Sequence, residues 1–112
     1  MVLDTLRGLF GDQNVLYWRN KSGREVDFVV RKDRDRVDVV ECTINPDRLD
    51  SSGIGVFRAS DAKGRNYVVS PAAKRHYDTC IRNLRITVCD TPDLANLMGL
   101  PDPSARYARR RE

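Results

Sequence analysis

Two short alternating runs, Glu25 to Arg31 (EVDFVVR) and Val37 to Ile44 (VDVVECTI), flank the fully charged segment Lys32-Asp33-Arg34-Asp35-Arg36. A period of two predicts neighbouring strands joined by a polar turn rather than a helix. In the first run the alternation places Val26, Phe28 and Val30 on one face and Glu25, Asp27 and Val29 on the other. In the second, Val37, Val39, Glu41 and Thr43 point one way and Val40, Cys42 and Ile44 the other. Two acids, Asp27 and Glu41, are thereby predicted on adjacent strands, and Pro46 closes the second run.

The flanking pattern completes an α/β plan. Val2, Leu3, Leu6, Leu9 and Phe10 recur at helical spacing before Gly11. Val15 to Asn20 reads as a strand that turns through Lys21-Ser22-Gly23-Arg24. Leu49 to Ala62 reads as a second helix, weakened by Ser51-Ser52-Gly53 and Gly55. Asn66 to Ser70 and Leu84 to Cys89 read as further strands, and Thr91 to Met98 as a helix with Thr91 as N-cap and Pro92 in the first helical position. The order is α-β-β-β-α-β, followed by another strand and helix. Phe28, Phe57, Tyr67 and Cys42 are expected in the core, Tyr17 and Trp18 on opposite faces of the first strand, and His76 in a surface loop.

A chain of 112 residues supports one core, so residues 1–103 are expected to form a single domain. Residues 104–112 lack periodicity and are expected to be a disordered basic tail. Net charge is +4, but Arg106, Arg109, Arg110 and Arg111 against Glu112 place +3 of it in the last seven residues, so charge alone does not indicate nucleic acid. No apolar run approaches the roughly 18 residues of a membrane span, and an N-terminus carrying Asp4 does not resemble a signal peptide. A cytoplasmic location and no membrane partner are expected. Cys42, Cys80 and Cys89 lack C-x-x-C spacing and read as reduced thiols.

Chemistry is concentrated in Asp27 and Glu41. Hard carboxylate oxygens on adjacent strands suit Mg²⁺ or Mn²⁺, with water completing an octahedron and Glu25 as candidate for a third oxygen. The plainer reading, which spacing alone favours, is a set of surface ion pairs with Arg19, Arg24, Arg31 and Arg58, each worth about 0 to 1 kcal/mol.

A resemblance weighs on that choice. Tyr17-Trp18-Arg19, then Gly23, Glu25, Val26, Asp27 and Phe28, then Glu41, then Phe57 and Arg58, then Ser70 and Pro71, resemble the C-terminal domain of unknown function carried by many bacterial and archaeal AAA+ family ATPases. The similarity runs from about Asn14 to Thr91. It implies a PD-(D/E)XK, restriction-endonuclease-like fold, with an α-β-β-β-α-β core and a mixed sheet flanked by helices, and it implies Asp27 and Glu41 as metal ligands. The chain departs from the family where a Glu-x-Lys is usual, since Glu41-Cys42-Thr43 puts a neutral hydroxyl in the lysine position. It also has no G-x-x-x-x-G-K-[ST] phosphate loop, so it is not expected to hydrolyse ATP.

The leading expectation is therefore a nuclease-fold domain that has lost catalysis and acts as a binding or regulatory module, with nucleic acid, an ATPase domain or another protein as partner. Arg19, Arg31, Arg58, Lys63, Arg109, Arg110 and Arg111 are the basic residues expected toward nucleic acid. One alternative is an active Mg²⁺- or Mn²⁺-dependent nuclease in which Arg31, Arg58 or Lys63 supplies the missing cation. The other is a protein-interaction or self-associating domain with no active site.

Overall fold

The computed structural model describes residues 2–99. The expected basic tail, with Arg109, Arg110 and Arg111, lies outside the described residues. Helix α1 (Val2–Phe10) precedes three strands, β1 (Val15–Arg19), β2 (Glu25–Arg31) and β3 (Val37–Cys42). Helix α2 (Ser52–Ser60) crosses to β4 (Asn66–Val69), and a hairpin of β5 (Tyr77–Ile81) and β6 (Leu84–Cys89) leads into α3 (Thr91–Gly99). The six strands form one mixed sheet in the order β1-β2-β3-β4-β6-β5. β1, β2 and β3 form an antiparallel meander, β4 is parallel to β3 and to β6, and β5 closes the far edge antiparallel.

Alternation along the strands builds two cores, one on each face. Val30, Val40, Tyr67, Val69 and Cys89 pack with Leu6 of α1 and with Leu94 and Met98 of α3. Val26, Val29, Val39, Val68, Ile86 and Val88 pack with Ile54 and Phe57 of α2. Every residue of β4 is buried, because that central strand is covered on both sides. Lys32 holds the two helices of the first face to the β2–β3 turn: its Nζ donates to the Met98 carbonyl at 2.7 Å and lies 4.8 Å from the Phe10 ring centre.

The alternation expected for β2 is broken at one place. Val15 pairs with Val30 and Leu16 with Val29, but Trp18 pairs with Val26 and Arg19 with Glu25. Asp27 and Phe28 thus stand opposite Tyr17 alone, a one-residue bulge. Its consequence is that Val26 joins the α2 face while Phe28 joins the α1/α3 face, whereas an unbroken strand would have placed them together.

Other departures have local causes. β5 was not foreseen, because Tyr77 to Ile81 is an exposed edge strand without apolar alternation. Its signal lies in the two-residue loop Arg82-Asn83, where both residues have positive φ (50° and 68°), the conformation of a type I′ hairpin turn. His76 is exposed, as expected, and immediately precedes that strand. The cap of α3 is Asp90 rather than Thr91, with Asp90 Oδ1 accepting the Asp93 N–H at 2.9 Å. Gly53, read as weakening α2, is what lets its first turn lie on β2: a Cβ there would run into the Glu25 carbonyl oxygen. Trp18 packs edge-to-face on Phe57 at 5.3 Å, while Tyr17 on the other face is exposed.

Candidate metal-binding site at the opening of two strands

The β2–β3 ladder runs from Arg31–Val37 to Phe28–Val40 and stops there. Beyond it the two backbones separate, and side chains replace the missing ladder bonds. Asp27 N–H donates to Glu41 Oε1 at 2.8 Å, and Cys42 N–H donates to Asp27 Oδ2 at 2.9 Å. Each carboxylate thus reaches across to the other strand's backbone, and the pair is locked in the gap. The bulge falls at this place, since Asp27 is one of the two β2 residues that stand opposite Tyr17. One oxygen of each acid is engaged in the exchange, and the second is the one a metal would take.

Glu41 lies two residues beyond Val39 and so points to the α2 face, where it is half-buried. Burial pushes its carboxyl up to about 7; the charges of Asp27, Glu25 and Asp50 add to the rise, and the Asp27 N–H opposes it. Asp50 Oδ1 accepts the Ser52 N–H at 2.9 Å at the start of α2. Ser52, with Arg24 and Arg82 beyond it, holds Asp50 below the usual carboxylate range. Cys42, expected in the core, is the last residue of β3 and is exposed there. Desolvation of the sulfur, with the charges of Asp27 and Glu41, pushes its thiol up to about 11, which keeps it protonated and poorly nucleophilic.

The structure does not bring Glu25 to the pair. Preceding Val26, it points to the opposite face, where its Oε2 accepts the Tyr17 hydroxyl and Arg19 Nη2 at 3.0 Å. Among the described residues no group of three His, Cys, Asp or Glu side chains is placed to hold a metal ion. Asp27 and Glu41 are thus two carboxylates without a third protein ligand, and a hard cation such as Mg²⁺ held there would need water in its remaining positions.

Thr43 is tied into the following loop. Its N–H donates to the Val69 carbonyl at 2.9 Å, and its Oγ1 both donates to the Asn45 carbonyl at 3.2 Å and accepts the Asn45 N–H at 3.3 Å. The basic residues expected to compensate are elsewhere. Arg31 pairs with Val37, the Lys63 carbonyl accepts the Val37 N–H, and Arg58 binds Asn66, so all three sit at the start of β3. Four residues of strand, roughly 13 Å at 3.3 Å each, separate that end from Glu41. Arg58 is moreover engaged four times, by Asn66 Oδ1 and the carbonyls of Asp61, Lys63 and Arg65. Arg19 is paired with Glu25.

Arg24, read in the sequence as an ion-pair partner of the acids, meets α2 instead. Its Nη1 donates to Ser52 Oγ at 2.8 Å, which sets it at the first turn of α2 on the side of Glu41. Comparison of the chain with protein-family models, with curated proteins and with solved structures finds no match.

Proposed function

We propose that this chain is a restriction-endonuclease-like domain that keeps the metal-binding acids of a nuclease but lacks the cation that chemistry requires, and that it works as a binding or regulatory module. The observation that carries the reading is the reciprocal hold of Asp27 and Glu41 on each other's strands at the opening of the ladder. A solvated ion-pair surface would have matched each acid with a nearby arginine, whereas these two are fixed beside each other across the two strands. The β1-β2-β3 meander with a helical crossover to a parallel β4 supports the same reading. A neutral Thr43 turned into its own loop leaves the developing negative charge of phosphodiester cleavage without its donor, a loss of about 10²- to 10³-fold or more in rate.

The test is thermal melting with Mn²⁺ together with filter binding of single-stranded and duplex DNA across a salt series. Mn²⁺ should raise the melting temperature of the wild type and leave Asp27→Ala unmoved. DNA binding that weakens steeply with salt assigns the partner as nucleic acid, and salt-insensitive or absent binding assigns it as protein. No response to Mn²⁺ or Mg²⁺ would refute the metal-site reading.

A second reading, residual cleavage, draws on one observation, the position of Arg24 beside α2. Incubation with supercoiled plasmid and Mn²⁺ decides it. Nicking that disappears in both Asp27→Ala and Arg24→Ala would establish it, and intact plasmid would remove it.

A further inference from the structure

At the end of the sheet away from Asp27 and Glu41, the starts of β4 and β6 border a cleft of about 580 Å³, within the range of sites that hold a small ligand. Arg58, Arg65 and Arg85 line it, together with His76, Asp78 and Thr87. Asp78 is the acid in that lining, and its Oδ1 takes the Thr87 hydroxyl at 2.6 Å. Three guanidinium groups therefore line it with one carboxylate, and the buried Asp38 beside it balances part of the charge of Arg58 and Arg65. Asp38, on the neighbouring strand, is buried and accepts the Arg65 backbone N–H at 2.9 Å. His76 Nδ1 lies 3.6 Å from Asp93.

The walls are fixed before any ligand arrives. One wall is the α2–β4 loop, which would be mobile but for Arg58, whose guanidinium binds the carbonyls of Asp61, Lys63 and Arg65. Asn66 completes the clamp, accepting from Arg58 at 2.8 Å and donating to the Arg85 carbonyl at 3.0 Å, so a buried amide joins the two walls. Gly64, with φ at 136°, lies so close to β3 that a Cβ would run into the Val37 carbonyl. Asn83, in the tight Arg82-Asn83 turn, lines the cleft as well. Arg65 and Arg85 are exposed, Arg65 just before β4 and Arg85 near the start of the adjacent parallel strand β6.

We propose that this cleft binds a phosphate group, gripped between Arg65 and Arg85 with the charge of Arg58 behind it. Guanidinium forks match phosphate oxygens, and walls held in place avoid the ordering cost that mobile arginines would incur on binding. The phosphate can belong to a small phosphorylated molecule or to a nucleic-acid strand, and the chemistry of the grip is the same. The site is separate from Asp27 and Glu41 and does not rest on the function proposed above.

The experiment is an NMR and calorimetric titration of the full chain with inorganic pyrophosphate, with AMP and with a short single-stranded oligonucleotide. Saturable binding is expected, with amide shifts at Asn83 and Thr87. Arg65→Glu and Arg85→Glu should each weaken it about tenfold or more, equivalent to about 1.4 kcal/mol. Lys21→Glu, an exposed charge reversal in the β1–β2 turn, should leave it unchanged. If either reversal unfolds the chain, Arg65→Gln and Arg85→Gln serve in its place, and weakened binding is again expected. Tighter binding of the oligonucleotide than of AMP identifies a strand as the source, and the reverse order identifies a small molecule. Absence of saturation with all three probes, shifts confined to other residues, or undiminished binding by the doubly substituted protein would overturn the proposal.

Discussion

Replacing Glu41 with glutamine should make this protein more stable at pH 8 and leave it unchanged near pH 4. The carboxyl of Glu41 rises from 4.5 to about 7 in the folded chain, chiefly through burial. Below about pH 4.5 the group is protonated folded or unfolded and contributes no pH dependence. Between 4.5 and about 7 the folded state keeps a proton that the unfolded chain releases, so stability falls as pH rises through that window and levels off above it. At about 1.4 kcal/mol per pH unit the full rise corresponds to a ceiling of about 3 kcal/mol. Glu41 is only half-buried, and water reaching it lowers the expected effect to about 1 to 2 kcal/mol. Glutamine keeps an oxygen to accept the Asp27 N–H, so the 2.8 Å contact survives while the charge goes. Urea unfolding of both proteins at pH 4, 6 and 8 measures the difference. Curves that run parallel across that range, or a variant less stable at pH 8, would refute the assignment of a strained charge at the opening of β2 and β3.

Gly53→Ala should destabilise the fold by about 2 kcal/mol or more, because the new methyl meets the Glu25 carbonyl and must push α2 off β2; denaturant melts check this, with Gly55→Ala, which has room for a methyl, as the neutral or stabilising control. Arg58→Ala should cost about 2 to 4 kcal/mol by stripping the donor from buried Asn66 and from three carbonyls, and hydrogen exchange should show the α2–β4 loop opening first. Thr43→Lys should produce slow Mn²⁺-dependent nicking of supercoiled plasmid, about 10²-fold or more below a complete site. Loss of its tie to the Asn45 carbonyl is the reason to expect a poorly aimed cation.

How far the fold could be read from sequence differs from element to element. β2 and β3 were legible because period-two alternation around a charged turn has one common structural solution. α1 was legible for the parallel reason at helical spacing, with its buried Leu6 in the middle of the stripe. β5 was not, since an edge strand exposed on most of its length carries no apolar signature, and its evidence is conformational, in the positive φ of Arg82 and Asn83. Gly53 was legible as a glycine but misread as a weakness, because its reason is a neighbouring backbone 28 residues earlier in the chain, at Glu25.

Sequence alone determined that Asp27 and Glu41 sit on adjacent strands, that lysine is absent at position 43, and that the chain combines helices with runs of strands. These are properties of residue type and spacing, which short-range periodicity encodes. Tertiary structure decided which acids meet and which cations do not. A single bulged residue turned Glu25 to Tyr17 and Arg19 and aimed Asp27 into the gap, and the parallel crossover carried Arg58 and Lys63 to the end of the strands away from Glu41. Register and strand direction are set by packing between distant segments, so a one-residue slip redistributes side chains between faces without leaving a mark in local sequence.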